Sequence, residues 1–137
     1  MYVLPFRDEL PEEILPGLKF GGNGYVIMAR GRFSAAGASA VRFKFKTFSP
    51  DGLMFLMGKD RDYLSIEMQD GKVVARYDLG SGPAVLDSAQ NQNTPQRYND
   101  GKWHSLYLNR VRNDGILKID DQTSTRHTSL FSFVTHV

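Results

Sequence analysis

Two aspartates, Asp60 and Asp62, flank an arginine in the stretch MGKDRDYLS at residues 57–65. Carboxylates are common in surface turns, and hard cations such as Ca²⁺ also take carboxylate oxygens as ligands. Residue type alone therefore leaves two interpretations open for this stretch, a metal site and a solvated turn. The elements around it must decide between them.

Catalytic residues are the second possibility to weigh. Two carboxylates that hydrolyse a glycosidic bond lie about 5–9 Å apart on one face of a cleft. Glu67 and Asp70 are the nearest candidates, but an offset of three along a strand puts them on opposite faces. His104, His127 and His136 do not stand with a serine or cysteine in a nucleophile motif such as G-x-S-x-G. The sequence therefore predicts a protein that is not an enzyme.

A long basic stretch is the third feature with chemical potential. Residues 14–50 contain no aspartate or glutamate but carry six lysines and arginines: Lys19, Arg30, Arg32, Arg42, Lys44 and Lys46. In extended chain Arg30 and Arg32 share a face, as do Arg42, Lys44 and Lys46. Such rows attract sulfated glycans, although lysines and arginines also serve simply to solvate the outer face of a sheet.

Composition bounds the class of protein. The chain has 137 residues, a hydrophobic fraction of 41% and a net charge of +2, which suits one folded domain and argues against general nucleic-acid binding. It contains no cysteine, which excludes disulfides and thiolate metal sites. No apolar run is long enough to predict membrane insertion.

The elements that position these residues are predicted to be strands. Period-two alternation broken by Gly, Asp and Asn indicates an all-β sandwich or barrel. In AVRFKFKTF, residues 40–48, aromatic and basic side chains alternate, so one face is core and the other solvent. Residues 63–82 predict a hairpin that turns at Asp70-Gly71, a favoured type I′ pair. Residues 102–120 predict a second hairpin, and residues 87–101 a polar surface loop.

Core positions follow from the same alternation. The second hairpin is expected to place Leu106 and Leu108 opposite Leu117 and Ile119. Trp103, at the start of its strand, is expected to be a core aromatic.

Five motifs occur in an order and spacing that resemble the laminin G-like domain, most like a G domain of a laminin α chain. They are FKFKTF, DGLM, DYLSIEM, YDLGSG and NDGKWH. The resemblance covers about Phe20 to Asp121 and implies an antiparallel jelly-roll β-sandwich of the concanavalin-like type. Residues 1–16 are expected to be a linker from a preceding module, and the domain, residues 17–137, to be incomplete or divergent after about residue 121, without its usual last strands.

The resemblance also implies a metal site on the rim of the sandwich. Matching residue by residue, Asp62 takes the carboxylate position of a Ca²⁺ site and Leu79 supplies a backbone carbonyl, with a third ligand expected from residues 128–132. The hairpin brings Asp62 and Leu79 to the same end of the sheet. With so few protein ligands, Ca²⁺ binding is expected to be weak. Asp60 matches no family position, so it is predicted to be solvated.

The function implied by the resemblance is that of a non-catalytic adhesion module of the extracellular matrix, located in basement membranes as part of a longer secreted chain. Its expected partners are the receptors integrin and dystroglycan, heparan sulfate and neighbouring G domains. The glycan-binding residues are expected to be Arg30, Arg32, Arg42, Lys44 and Lys46. The alternative is a carbohydrate-recognition or glucanase-type jelly-roll domain.

Overall fold

The structure is a computed structural model, and it describes residues 1–5, 17–27, 37–80, 82–90 and 92–126. In these ranges the chain forms ten strands and no helix, which confirms the all-β prediction. The strands are β1 (Tyr2–Pro5), β2 (Leu18–Lys19), β3 (Ala38–Lys46), β4 (Gly52–Lys59), β5 (Asp62–Gln69), β6 (Lys72–Asp78), β7 (Ala84–Asp87), β8 (His104–Val111), β9 (Asp114–Ile119) and β10 (Gln122–Arg126).

The strands form two antiparallel sheets. The larger sheet has six strands in the order β10-β9-β8-β3-β1-β2, and the smaller has four in the order β4-β5-β6-β7. Strand β7 lies against β9 and β10, so one edge of each sheet meets the other there. No helix in the described residues has the length and apolar character needed to cross a membrane.

The core lies between the two sheets, where side chains on alternate positions of each strand face inward. On β3, Phe43 and Phe45 are buried, as the alternation in AVRFKFKTF predicts. Leu106 lies opposite Ile119 and Leu108 opposite Leu117, as predicted. The buried cluster comprises Phe43, Phe45, Leu64, Ile66, Met68, Val73, Ala75, Tyr77, Ala84, Leu86, Tyr98, Leu106, Leu108, Leu117 and Ile119.

The β5–β6 hairpin turns where the sequence predicts. Gln69 pairs with Lys72, which leaves Asp70 and Gly71 as a two-residue turn. Both turn residues have positive φ, 48° and 75°, as a type I′ turn requires. Asp70 tolerates this backbone better than most residues, and glycine adopts it without steric cost.

Three predictions about the limits of the elements need correction. Tyr2–Pro5 is not linker but strand β1, which pairs with β3 and β2. The larger sheet does not end near Asp121, because β10 continues it with five residues paired to β9. Tyr98 is fully buried although it lies in the predicted surface loop, so this loop closes over the core.

Candidate functional site

The predicted metal ligands lie at one end of the smaller sheet. Asp62 is the first residue of β5, and Tyr63 pairs with Asp78, so the register extended by one residue places Asp62 opposite Leu79. Leu79 follows the last residue of β6 and packs against the core. This end of the sandwich is called the rim below. Asp62 and Leu79 thus lie at the same end of the smaller sheet, while their role as metal ligands stays a prediction.

The loop that carries the Leu79 carbonyl is held by its neighbours. The Asp78 carboxylate accepts a hydrogen bond from the Gly80 amide at 3.0 Å, and Gly80 has a φ of +89°, a backbone conformation that favours glycine. Asp78 therefore fixes the turn in which Leu79 lies.

The larger sheet contributes to the same rim. The Tyr77 hydroxyl donates a hydrogen bond to the Asn113 carbonyl at 2.8 Å, which joins β6 to the β8–β9 turn. Strand β10 ends at Arg126, opposite Gly115, at the same end of the sandwich. The chain thus leaves β10 beside the rim. Residues 128–132, from which a third metal ligand is expected, lie outside the described residues.

The donor set at the rim fits a hard cation only weakly. Within the described residues there is no group of three or more His, Cys, Asp or Glu side chains that could hold a metal. The Asp62 carboxylate and the Leu79 carbonyl supply oxygen ligands of the kind that Ca²⁺ prefers, and waters would have to complete its six to eight ligands. Asp60 lies exposed in the β4–β5 turn with a φ of 59°, as expected of a turn residue.

A buried arginine near the rim was missed from the sequence. Arg110 has no exposed surface and lies on the inner face of β8. Its guanidinium donates to the Ser39 hydroxyl at 2.8 Å and to the Arg112 carbonyl at 3.2 Å. Burial lowers the pKa of Arg110 below its ordinary value, and burial raises the pKa of the neighbouring Tyr77 phenol. Side chains on one face of a strand repeat every two residues, so His104, Leu106 and Leu108 all face inward on β8. The same spacing could have identified Arg110 as the next inward residue.

The predicted cationic row lies on the outer face of the larger sheet. Arg42, Lys44 and Lys46 alternate along β3 with the buried Phe43 and Phe45, so all three face solvent. Strand β3 has β8 on one side and β1 on the other, which places the row near the middle of the sheet. Arg30 and Arg32, the other two predicted glycan ligands, lie outside the described residues.

Aromatic rings accompany these cations. The Arg42 guanidinium lies 4.7 Å from the centroid of the Tyr107 ring. The Lys46 ammonium lies 5.1 Å from the Tyr2 ring and 5.0 Å from the Trp103 ring. A cation at this distance from an aromatic ring is attracted by the ring quadrupole, which restricts where the side chain points.

Two lysines on other strands extend the positive charge of this face. Lys118 on β9 pairs with Tyr107, which in turn pairs with Arg42. On the other side Lys19 on β2 pairs with Tyr2, the partner of Lys46. Sequence reasoning did not connect Lys118 with the basic stretch, because only the register across three strands brings it there.

Carboxylates on the outer face of the larger sheet stand at its ends. Among the described strand residues of this face, Asp114 is the one acid, and it begins β9. Asp120 follows β9, and its carboxylate accepts hydrogen bonds from the Ser105 amide at 2.8 Å and pairs with His104 at 2.8 Å. Among the described strand residues, the charged side chains in the central part of this face are therefore all basic.

The sequence placed Trp103 in the core, and the structure corrects this. Trp103 is half-buried on the outer face, where it meets Tyr2 edge to face with ring centroids 6.3 Å apart. The inward residue is His104, only 5% exposed, which packs against Phe45 and Tyr98. The prediction that Trp103 lies in the core is therefore wrong by one residue, because the next residue, His104, takes the inward position.

His104 connects the loop before β8 to the turn after β9. Its two ring nitrogens lie 2.9 Å from an Asp100 oxygen and 2.8 Å from an Asp120 oxygen. Burial acts to raise the pKa of the Asp100 carboxyl, but hydrogen bonds from the Lys102 amide and His104 outweigh it and lower the pKa below its ordinary value. This cluster ties loop ends together, which is a structural role.

The carboxylate pair considered for glycoside hydrolysis does not form a catalytic cleft. Glu67 forms an ion pair with Arg76 and accepts a hydrogen bond from Gln69. Asp70 lies in the β5–β6 turn and forms an ion pair with Arg97 at 3.0 Å. Each carboxylate is thus held by its own cation, one on a sheet face and the other in a turn.

Two antiparallel sheets packed around one core define the broad class of the protein as a β-sandwich domain. Comparisons with known proteins make this specific. A family model for the Laminin G domain matches residues 45–135. The chain belongs to the laminin G domain family. This match continues well beyond Asp121, where the resemblance was expected to end.

Similar proteins come from two comparisons. The chain is 38% identical over 124 residues to the laminin subunit alpha of Drosophila melanogaster, with 88% of this chain covered. It is 36% identical over 112 residues to human laminin subunit alpha-1, with 80% covered. It spans 3% of the length of each of these relatives.

A solved structure, the LG1-3 region of the laminin alpha2 chain, is 34% identical with a TM-score of 0.63. The match covers 79% of this chain and 21% of that one. The likeness confirms the predicted fold class, an antiparallel jelly-roll sandwich.

Proposed function

We propose that this chain is a non-catalytic binding module of the extracellular matrix that binds sulfated glycans, such as heparan sulfate, on the outer face of its larger sheet. The observation that carries the proposal is the row of Arg42, Lys44 and Lys46 along β3. Successive members of the row stand about 7 Å apart, because side chains on one face of a strand repeat every two residues.

The chemistry of the row suits sulfate groups. Sulfates stay charged at physiological pH, and charge-assisted hydrogen bonds from arginine and lysine to anionic oxygens are about twice as strong as neutral ones. Arg42 presents a planar fork of donors, while Lys44 and Lys46 present compact ammonium groups. Because the row lies on a sheet rather than on loops, the strand holds its spacing fixed.

The finer assignments follow the family. Laminin-type G domains imply integrin and dystroglycan as receptors, neighbouring G domains as contacts and the basement membrane as location. For this chain each of these remains a proposal, since it spans 3% of its laminin relatives.

A calcium ion at the rim is a second proposal. The observation that favours it is the register of β5 and β6, which pairs Tyr63 with Asp78 and, extended by one residue, places Asp62 opposite Leu79. Ca²⁺ would neutralise the Asp62 carboxylate and offer a positive charge to an acidic ligand at the rim. No part of the glycan proposal depends on it.

The test of the glycan proposal is a calorimetric titration with heparin. The double variant Arg42→Gln/Lys44→Gln removes two charges from the row, and Lys59→Gln/Arg61→Gln removes two exposed charges at the end of the other sheet. We expect the first variant to bind about two- to thirtyfold more weakly, from roughly 0.2–1 kcal/mol for each of the two charges removed. The control should bind like wild type. Equal affinity of wild type and the first variant, or a loss confined to the control, would contradict the proposal.

A further inference from the structure

We propose that the glycan site is not the β3 row alone but an oblique track of five cations across five strands, which selects long linear polyanions over short ones. The track runs through Lys118, Arg42, Lys44, Lys46 and Lys19. The inference rests on the proposed function, because it names the form of glycan that the same face takes.

The register fixes the course of the track. Lys118 stands two strands from Arg42 in one row, through Tyr107 on β8. Lys19 stands two strands from Lys46 in another row, through Tyr2 on β1. From Arg42 the track crosses the sheet towards β9, and from Lys46 it crosses in the opposite direction towards β2. The five cations therefore follow a diagonal across the sheet rather than a single strand.

The dimensions of the track follow from sheet geometry. Two strand spacings separate Lys118 from Arg42, about 10 Å, and the same holds for Lys46 and Lys19. The four residue steps from Arg42 to Lys46 span about 14 Å along β3. The backbone distance from Lys118 to Lys19 is therefore about 24 Å.

Because salt screens the interaction between charges, the length of the track determines which glycans can contact all of its cations. At physiological ionic strength, charges more than about 8 Å apart interact little through solvent. An anion centred on Lys44 is about 12 Å from the backbone of both Lys19 and Lys118. A short oligosaccharide at the centre therefore gains almost nothing from the end cations, whereas a chain laid along the diagonal meets all five.

Aromatic rings lie beside the two cations at which the track changes direction, Arg42 and Lys46; these two points are called the bends of the track. Tyr107 lies beside Arg42 at one bend. At the other, Tyr2 lies between two ammonium groups, with Lys46 at 5.1 Å and Lys19 at 5.5 Å from its ring. Contacts of this kind orient cations before a ligand arrives, which reduces the entropy lost on binding.

The fluorescence of Trp103 can report binding at the Lys46 bend of the track. It is the single tryptophan of the sequence, and its ring lies 5.0 Å from the Lys46 ammonium. A sulfate that binds Lys46 changes the charge beside the indole. We expect intrinsic fluorescence to change with the same affinity that calorimetry measures.

The experiment compares single variants against heparin oligosaccharides of defined length. Lys19→Gln and Lys118→Gln remove the end charges, Lys44→Gln removes the central one, and Lys59→Gln is the control on the other sheet. All four lysines lie on strands, and their substitution opens no buried cavity. Thermal unfolding of each variant checks that the fold is retained.

For a decasaccharide we expect Lys19→Gln and Lys118→Gln each to weaken binding about two- to fivefold, from the worth of one exposed charge pair. For a disaccharide the same variants should bind like wild type, while Lys44→Gln loses affinity for both. Wild-type affinity of either end variant for the decasaccharide would overturn the track and leave the proposed function standing if Lys44→Gln still binds weakly. If Lys44→Gln also binds normally, the proposed function fails as well.

Discussion

The calcium proposal yields a prediction whose size can be worked out from the rim. The change is Asp62→Asn, which removes the one carboxylate of the pair with the Leu79 carbonyl and keeps the side-chain size. Two protein oxygens with waters correspond to the weak range of extracellular sites, with a dissociation constant of about 10⁻⁴–10⁻³ M. At a calcium concentration about ten times that constant, binding stabilises the fold by about 1.4 kcal/mol.

The assay is thermal unfolding with and without calcium. For a domain of this length, about 1.4 kcal/mol corresponds to a rise of about 4–6 °C in melting temperature. We expect this rise in wild type and in the matched control Asp60→Asn, and little or none in Asp62→Asn. Asparagine suits the control because it tolerates the positive φ of Asp60. An equal calcium response of Asp62→Asn and wild type would refute the reasoning.

Three further predictions concern stability. Leu108→Ala, at a fully buried position, should lower the free energy of unfolding in urea by about 3–4 kcal/mol. Leu56→Ala, at a side chain that is 61% exposed, should lower it by under about 1 kcal/mol, and similar losses in the two variants would contradict the assignment of faces. Gly115→Ala should cost about 1–3 kcal/mol, because its Cβ would lie 2.7 Å from a buried tyrosine hydroxyl, and Gly24→Ala, with no described atom within 4 Å, should be near neutral. Because the pKa of Asp100 is lowered in the folded state, its carboxylate stabilises the fold above its unfolded pKa near 4, and this stability is lost as pH falls through the lower folded pKa. Asp100→Asn should therefore weaken the pH dependence of stability below about pH 4, and an unchanged profile of stability against pH would count against the cluster.

Much of the fold could be predicted from local pattern. The alternation around Phe43 and Phe45 fixed which face of β3 is buried, and the Asp70-Gly71 pair located a turn, because type I′ geometry demands such residues. The same hairpin logic placed Asp62 beside Leu79. In each case the signal lies within one strand pair, where side-chain period and turn chemistry agree.

The predictions that failed mostly concern residues whose positions depend on partners distant in the sequence. Strand β1 contains a proline and is stabilised by β3, some forty residues away, so its own sequence does not predict it. In the stretch NDGKWH the inward residue is His104, whose ring nitrogens lie 2.8 Å from an Asp120 oxygen and 2.9 Å from an Asp100 oxygen. Lys118 joins the basic face only through the register of β3, β8 and β9. Periodicity within one strand does not reveal which strands pair, which is why β1 and Lys118 were missed. The orientation of Trp103 is different, because the alternation of the inward Leu106 and Leu108 already favours an outward Trp103.

The central claim is that the outer face of the larger sheet binds sulfated glycans, and elution from heparin-agarose in a salt gradient tests it most directly. Because contacts between exposed charges are screened by salt, the elution position reports how many cations engage the column. We predict that the wild-type chain elutes above physiological ionic strength and that Arg42→Gln/Lys44→Gln elutes below it. Elution of the wild type below physiological salt would contradict the account.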